Sequence, residues 1–123
     1  MSEPGKAQLE ALQGRLCYQF SDQTLLKRAL THRSVGKQHN ERLEFLGDAV
    51  IGLAAAAAFY ERFPEADEGV LSRLRALVVS GQSLAAIAKD MDLSSCLILG
   101  ESERKSGGRH RDSILADTLE ALI

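Results

Sequence analysis

Several features are scarce in this sequence, and each scarcity excludes a class of protein. The two cysteines, Cys17 and Cys96, are far apart and show no paired Cys or Cys/His spacing, which argues against a zinc site or a disulfide framework. No stretch approaches the roughly 20 consecutive apolar residues of a membrane span, and no basic segment followed by an apolar run marks an export signal. We therefore expect a cytoplasmic protein with no membrane partner.

Aromatic residues are also scarce, and the chain has no net positive charge. Two Tyr, four Phe and no Trp, together with few Val, Ile and Thr, are too little for a β-sandwich. The formal net charge of −2 gives no general attraction to nucleic acid. A nucleic-acid partner would have to meet a local basic patch or bound cations.

What is present is a chain of 123 residues, 45% of them apolar and rich in Leu and Ala. This is about the length of one domain with one core, and the composition predicts an all-α interior. The chain ends at Ile123 inside an apolar helical pattern, with no Gly, Pro or basic cap. We therefore expect a single domain over residues 1–123 that is incomplete at its C-terminal end.

Capping residues and the helical spacing of apolar residues divide the chain into short helices. The strongest predicted helix is capped by Asn40 and runs to the stop at Pro64. The other predicted boundaries are a helix start at Ser21 and Asp22, a helix from Asp67 to a bend at Ser80 and Gly81, a helix capped by Ser83, a loop over residues 100–108, and a last helix opened by Asp112 or Ser113.

Acidic residues recur at helical spacing on two of these predicted helices. At about 100° per residue, Glu41, Glu44 and Asp48 lie within about 60° of one another. Asp117 and Glu120 share a face of the last helix by the same geometry. Asp48 has apolar neighbours on both sides in the sequence, so we expect its carboxylate at the rim of the core, where an unpaired charge is costly. The two faces are either solvated helix surfaces or ligands of a cation.

Carboxylates on two helices are typical ligands of Mg²⁺, which binds a few carboxylates together with water and substrate phosphate. A di-iron site in a helical bundle would instead need Glu-x-x-His motifs, and none of His32, His39 and His110 follows a Glu by three residues. Mg²⁺ is therefore the expected cofactor, with Mn²⁺ as a substitute.

The segment Asn40-Glu-Arg-Leu-Glu-Phe-Leu-Gly-Asp48 closely resembles the nine-residue motif of the ribonuclease III family. Four further matches to the family follow the same order along the chain: Thr-His-Arg-Ser at 31–34, Asp-Glu-Gly at 67–69, Lys-Ser-Gly-Gly at 105–108, and Asp-Thr-Leu-Glu-Ala-Leu at 117–122. An ordered set of matches over nearly the whole chain is far more specific than one short motif.

This resemblance implies an all-helical nuclease domain that acts as a homodimer and cuts both strands of double-stranded RNA. The ends would be 5′-phosphate and 3′-hydroxyl, and the substrates would include ribosomal and other structured RNAs. The resemblance implies four metal ligands, namely Glu44, Asp48, Asp117 and Glu120. Asp48 and Glu120 are the two that it marks as catalytic. Glu41 and Glu68 match further acidic positions, which implies that they support the site or contact RNA.

Three other features bear on these expectations. The one dense basic cluster, which includes Lys105 and Arg109, leads directly into the helix of Asp117 and Glu120, so we expect it to contact RNA phosphates. Phe45 is either a core residue or, by the resemblance, an apolar dimer contact. His32 is expected to be a hydrogen-bonded structural residue.

A different class of function remains open at this point. Bacterial members of the family usually carry a double-stranded-RNA-binding domain after the nuclease domain, and this sequence contains none. The alternative is a non-cleaving RNA-binding module, although such a module would not need Asp48, Asp117 and Glu120.

Overall fold

The computed structural model describes residues 3–123, most of which lie in seven α-helices. The helices are α1 (Lys6–Leu16), α2 (Gln23–Ala29), α3 (Glu41–Arg62), α4 (Glu68–Val78), α5 (Gly81–Asp90), α6 (Glu101–Lys105) and α7 (Asp112–Leu122). Two 3₁₀ turns, Leu93–Cys96 and Gly108–His110, precede α6 and α7. Residues 3–123 contain no β-strand, which confirms the predicted all-α fold, and Thr31 and Ile98 form an isolated parallel bridge.

Side-chain caps begin three of the helices. The Asp22 and Asp67 carboxylates accept hydrogen bonds from backbone N–H groups in the first turns of α2 and α4. Ser80 begins α5 in the same way, because its hydroxyl accepts from the backbone N–H of Ser83. The predicted cap at Ser83 is therefore wrong by three residues, and the predicted bend at Ser80 is a break between two helices.

Two other local predictions also fail. The segment 100–108 is not all loop, since Glu101–Lys105 form α6, which is followed by Gly107 in the left-handed region at φ 85°. The predicted helices include no counterpart of α1. Within this helix, the buried apolar side chains are those of Leu9 and Leu12.

The central element of the bundle is α7. It packs against α3 and α5 and also touches α2 and both 3₁₀ turns. Seven of its eleven residues are buried, among them Leu115 and Leu119. These two side chains join a core that contains Leu12, Leu26, Leu84 and Leu97. The burial of α7 fixes the positions from which Asp117 and Glu120 project.

The longest helix, α3, lies at the edge of the bundle. Only Gly47 is buried among its 22 residues. Phe45, Leu53 and Tyr60 are 81%, 72% and 75% exposed. By length and composition alone α3 could cross a membrane. Its first turns, however, carry the charged side chains of Glu41, Glu44 and Asp48. The exposure of Phe45 rules out the core interpretation of that residue.

Asn40 joins three segments just before α3. It precedes the helix as predicted, but its side chain caps none of the N–H groups of α3. Instead, the buried Asn40 Nδ2 donates to the carbonyl oxygen of Ala29 at 2.9 Å and lies 3.5 Å from Thr118 Oγ1. The start of α3 is thereby held against the end of α2 and the middle of α7.

Candidate metal centre

The two acidic faces predicted from the sequence meet where α3 crosses α7. Glu44 projects from α3, and Asp117 and Glu120 project from α7. One carboxylate oxygen from each of these three residues lies within 4.8 Å of the others. Glu44 and Asp117 are half-buried, and Glu120 is only 8% exposed. We call this group the acidic cluster.

Gly47 allows the two helices to approach so closely. A Cβ atom at Gly47 would lie 1.7 Å from the carbonyl oxygen of Glu120 and 2.6 Å from its carbonyl carbon. Both are backbone atoms of a buried helix and cannot rotate away. Any side chain at Gly47 would therefore push α3 away from the residue that contributes a carboxylate to the cluster.

Asp48 occupies a different environment from the one predicted. Its side chain is exposed, so the expectation of a carboxylate at the rim of the core is wrong. The carboxylate that is buried is that of Glu120, on the crossing helix α7. Asp48 stays close to the site, because it lines a cleft of about 320 Å³ together with Glu41, Glu44 and Glu120.

Burial and mutual repulsion raise the pKa values of the acidic cluster. Desolvation is the largest cause for each member. The pKa of Glu44 rises to about 7, with further contributions from the charge of Asp117 and a hydrogen bond to it. The pKa of Glu120 rises to about 8, where the second cause is a hydrogen bond to Asp48. The pKa of Asp117 is raised by burial, while the hydrogen bond from Glu44 acts in the opposite direction.

The donor set suits a hard divalent cation. All three groups offer carboxylate oxygens, which Mg²⁺, Mn²⁺ and Ca²⁺ prefer. The bonds from such an ion to its oxygen ligands are about 2.1 to 2.5 Å long, so two oxygens on opposite sides of the ion are about 4 to 5 Å apart. The three carboxylate oxygens of the cluster lie within 4.8 Å of one another, which is close enough to bind one ion. A bound cation would offset both the desolvation and the mutual repulsion that raise the pKa values of Glu44 and Glu120.

The other acidic residues singled out in the sequence lie outside the cluster. Glu41 lines the cleft of about 320 Å³ and a second, smaller cleft that Glu44 and Asp117 also line, but its carboxylate pairs with Arg33 at 3.3 Å. Glu68 begins α4, accepts a hydrogen bond from the hydroxyl of Ser72 at 2.8 Å, and lines neither cleft. Both roles stay predictions, and the structure favours a supporting position for Glu41.

The basic cluster divides into exposed and structural members. Lys105 is exposed on α6 and pairs with Glu101 of the same helix at 3.6 Å. The guanidinium of Arg109 donates to the carbonyl oxygen of Ser94 at 2.8 Å and is half-buried. Lys105 is thus the better placed of the two to reach a phosphate.

Sequence reasoning missed Glu103, a half-buried carboxylate in α6. Its Oε2 atom lies 3.5 Å from Nε of Arg111, and a Cβ at Gly108 would lie 2.8 Å from that oxygen. The paired glycines after this Glu were the available signal, because Gly108 leaves the space that the carboxylate fills. Glu103 fixes the turn that leads into α7.

Comparisons with known proteins agree with this geometry. A family model described as Ribonuclease-III-like matches residues 22–123. Two solved structures of the nuclease domain of ribonuclease III from Campylobacter jejuni are similar to the chain. One has a TM-score of 0.90 at 43% sequence identity and covers 93% of this chain and 80% of that one. The other has a TM-score of 0.89 at 43% identity, with 93% and 78% covered.

Proposed function

Since the chain belongs to the ribonuclease III family and carries its double-stranded-RNA endoribonuclease domain, we propose that it hydrolyses RNA duplexes with Mg²⁺, leaving 5′-phosphate and 3′-hydroxyl ends. The observation that carries this proposal is the convergence of Glu44, Asp117 and Glu120 within 4.8 Å at the crossing of two helices. Ribosomal and other structured RNAs of the cytoplasm are the proposed substrates.

The roles of the site residues follow from their environments. Glu44, Asp117 and Glu120 would hold the cation, and no side chain needs to become a covalent nucleophile. When bound, a divalent cation acidifies a water molecule and offsets the negative charge that develops on the phosphate. Glu120 must lose its proton before it can bind the cation, and its hydrogen-bonded neighbour Asp48 is exposed to solvent. The roles of Asp48 as a catalytic residue and as a further ligand of the cation stay predictions, supported by its hydrogen bond with Glu120 and by its place in the same cleft.

The substrate would be recognised mainly by shape. An A-form duplex hides its base edges in a deep, narrow major groove and presents phosphates and 2′-hydroxyls instead. The chain has a formal net charge of −2, so local cations and the exposed Lys105 must supply the attraction to phosphate. Broad tolerance of RNA sequence is the expected consequence.

A cleavage assay tests the proposal directly. The chain is incubated with a long RNA duplex and Mg²⁺, and the products are sized and their ends identified by phosphatase and ligase treatment. We expect short duplex fragments with 5′-phosphates, no cutting of the same strands unpaired, and no cutting after chelation. Mn²⁺ should restore activity to the chelated protein. If the folded protein leaves the duplex intact under these conditions, the proposed function is wrong.

Binding of Mg²⁺ should stabilise the fold more at high pH than at low pH. The folded-state pKa values of Glu44 and Glu120, about 7 and about 8, lie above the ordinary value of 4.5. Protonation therefore stabilises the metal-free fold at low pH, and this contribution is lost as the pH rises through about 7 and 8. A cation needs the deprotonated ligands, so its binding improves over the same range.

Thermal unfolding with and without Mg²⁺ measures this effect. At a cation concentration ten times the dissociation constant, linkage gives about 1.4 kcal/mol, or about 5 °C in Tm for a domain of this size. We expect that difference near pH 9 and a much smaller one near pH 6. If Mg²⁺ raised the Tm equally at both pH values, the carboxyl groups with raised pKa values would not be the ligands of the cation.

A homodimer is the proposed assembly, and the exposed face of α3 supports it. Phe45 projects with 81% of its surface exposed. Beside it, from Leu46 and Val50, an apolar groove of about 570 Å³ extends to Leu16 and Leu122. A projecting ring and an apolar groove on one chain are what a two-fold interface between identical subunits requires. One of the similar Campylobacter jejuni structures was described with a flexible region involved in dimer formation.

Replacing Phe45 by Ala should therefore weaken self-association. A central aromatic contact contributes about 2 kcal/mol, so the dissociation constant should rise roughly 30-fold. Sedimentation equilibrium measures the change, with Ile87→Ala as a control because Ile87 is an exposed apolar residue on a different helix, α5. A monomeric wild-type chain, or equal dissociation constants for the Phe45→Ala and wild-type chains, would contradict the proposed interface.

A further inference from the structure

The loop between α2 and α3 places a histidine beside the acidic cluster. His32 lines a cleft of about 130 Å³ that Glu44 and Asp117 also line. It is half-buried there. None of the site roles described above uses this side chain.

The backbone of this loop is held firmly against the segment before α6. The N–H of His32 donates to the carbonyl oxygen of Ile98 at 2.9 Å, and the N–H of Ile98 donates to the carbonyl oxygen of Leu30 at 2.9 Å. Gly100 allows close contact on the same side, since a Cβ there would lie 2.4 Å from the carbonyl oxygen of Ser34. The backbone at His32 is therefore fixed from two directions.

The imidazole ring is fixed as well, and its hydrogen bonds decide its tautomer. Nδ1 of His32 accepts from the backbone N–H of Ser34 at 3.1 Å, so this nitrogen carries no proton. The hydroxyl of Ser34 lies 2.8 Å from the same nitrogen and must donate to it, while its oxygen accepts from the N–H of Gly100 at 2.8 Å. In the neutral ring the proton must then be on Nε2.

We propose that the Nε2–H group of His32 donates a hydrogen bond to a phosphate oxygen of the RNA strand being cut, next to the acidic cluster. This inference rests on the proposed function. Phosphate oxygens only accept hydrogen bonds, and this donor has no partner among the described residues. The neighbouring cation in the cleft, Arg33, is already paired with Glu41. A neutral N–H donor can also orient the phosphate without adding a positive charge that would repel a metal ion.

Two substitutions separate a substrate contact from a structural role. In His32→Asn, the side-chain oxygen can replace Nδ1 as acceptor for Ser34, but nothing replaces the Nε2–H donor. In His32→Gln, the amide N–H reaches the position of Nε2, but the acceptor for Ser34 is lost. Each variant therefore keeps one function of the ring and loses the other: His32→Asn keeps the acceptor for Ser34, and His32→Gln keeps the donor toward the RNA.

We expect His32→Asn to lower kcat/KM about 10- to 100-fold, as for the loss of a hydrogen bond to a charged group, with an unchanged Tm. His32→Gln should retain more activity than His32→Asn despite a lower Tm. The opposite order of activity would show that the ring only supports the loop and would overturn the proposal. A loss from His32→Asn that disappears with a 2′-deoxy sugar beside the cut would assign the contact to the 2′-hydroxyl, which also overturns it.

A spectroscopic readout does not depend on cleavage. Long-range ¹⁵N–¹H spectra of the wild-type chain should show the Nε2–H tautomer of His32, and the Nδ1–H tautomer would overturn the proposal. Addition of a short RNA duplex to Glu120→Gln protein should shift the Nε2–H proton downfield, and an unmoved proton would be equally decisive against it. If wild-type protein cuts no RNA, the proposed function fails, whereas these spectra still decide the role of His32.

Discussion

Glu120→Gln protein should fold normally and cut double-stranded RNA at least about 100-fold more slowly than the wild-type chain. Loss of an outer partner of a metal ligand already costs about 10- to 100-fold, and Glu120 belongs to the acidic cluster itself. Gln keeps the size of the side chain, and its amide N–H can still donate to Asp48. The substitution therefore removes one negative ligand with little change in packing.

We expect the same variant to be more stable than wild-type protein at high pH, although it is less active. Glu120 is buried and its pKa is raised from 4.5 to about 8, so the metal-free wild-type fold loses stability as the pH rises through about 8 and does not regain it at higher pH. Gln has no charge to bury, and Glu120→Gln should therefore unfold at a higher temperature than wild-type protein near pH 9 in the absence of metal. Reduced activity together with increased stability is a combination that a misfolded variant cannot produce.

The control for both measurements is Glu61→Gln, an exposed carboxylate in the last turn of α3. It makes the same chemical change on the surface and should alter neither cleavage nor Tm. Full activity of Glu120→Gln protein would mean that the observed cutting comes from a contaminating nuclease or from another site.

Gly47→Ala should destabilise the protein by about 3 kcal/mol or more, at the upper end of the range for overpacked interiors. For a domain of this size the Tm should fall by roughly 12 °C. The added Cβ would overlap the carbonyl oxygen of Glu120, and both helices are regular at this point, so the strain can be relieved only by moving α3 away from α7. Displacement of reacting groups by about 1 Å costs about 100-fold in rate.

A matched control lies five residues along the same helix. A Cβ atom added at Gly52 would meet no heavy atom within 4 Å, so Gly52→Ala should stabilise α3 by about 0.5 to 1 kcal/mol through helix propensity alone. Thermal unfolding should show shifts of opposite sign for the two variants, and the cleavage assay should show a loss for Gly47→Ala alone. A Gly47→Ala protein as stable as Gly52→Ala protein would contradict the close crossing of the two helices.

Much of the acidic site follows from sequence spacing. Helical periodicity places Glu44 and Asp48 on one face and Asp117 and Glu120 on another, and the ordered family motifs imply that the faces meet. Periodicity does not say which helix is buried, because burial depends on packing between distant segments. The prediction for Asp48 failed for this reason: its apolar neighbours lie on a helix whose apolar side is exposed.

Side chains that make long-range contacts were predictable only in part. Asn40 has the residue type and the position of a helix cap. Its side-chain amide instead makes hydrogen bonds to Ala29 and Thr118, which are distant in sequence. Arg109 belongs to a basic cluster, yet its guanidinium donates to the carbonyl of Ser94. In both cases a local signal identified a polar side chain correctly, while the partner was fixed by the tertiary fold.

The contrast between a buried α7 and a peripheral α3 divides the acidic site between regions of different local stability. Amide hydrogens of α7 should exchange with solvent mainly through global unfolding, whereas those of α3 can exchange through smaller openings that separate Glu44 from Asp117. An ion shared by the two helices raises the free energy of these partial openings as well as that of complete unfolding. Slower amide exchange along α3 is therefore a direct record of ion occupancy, even without any RNA.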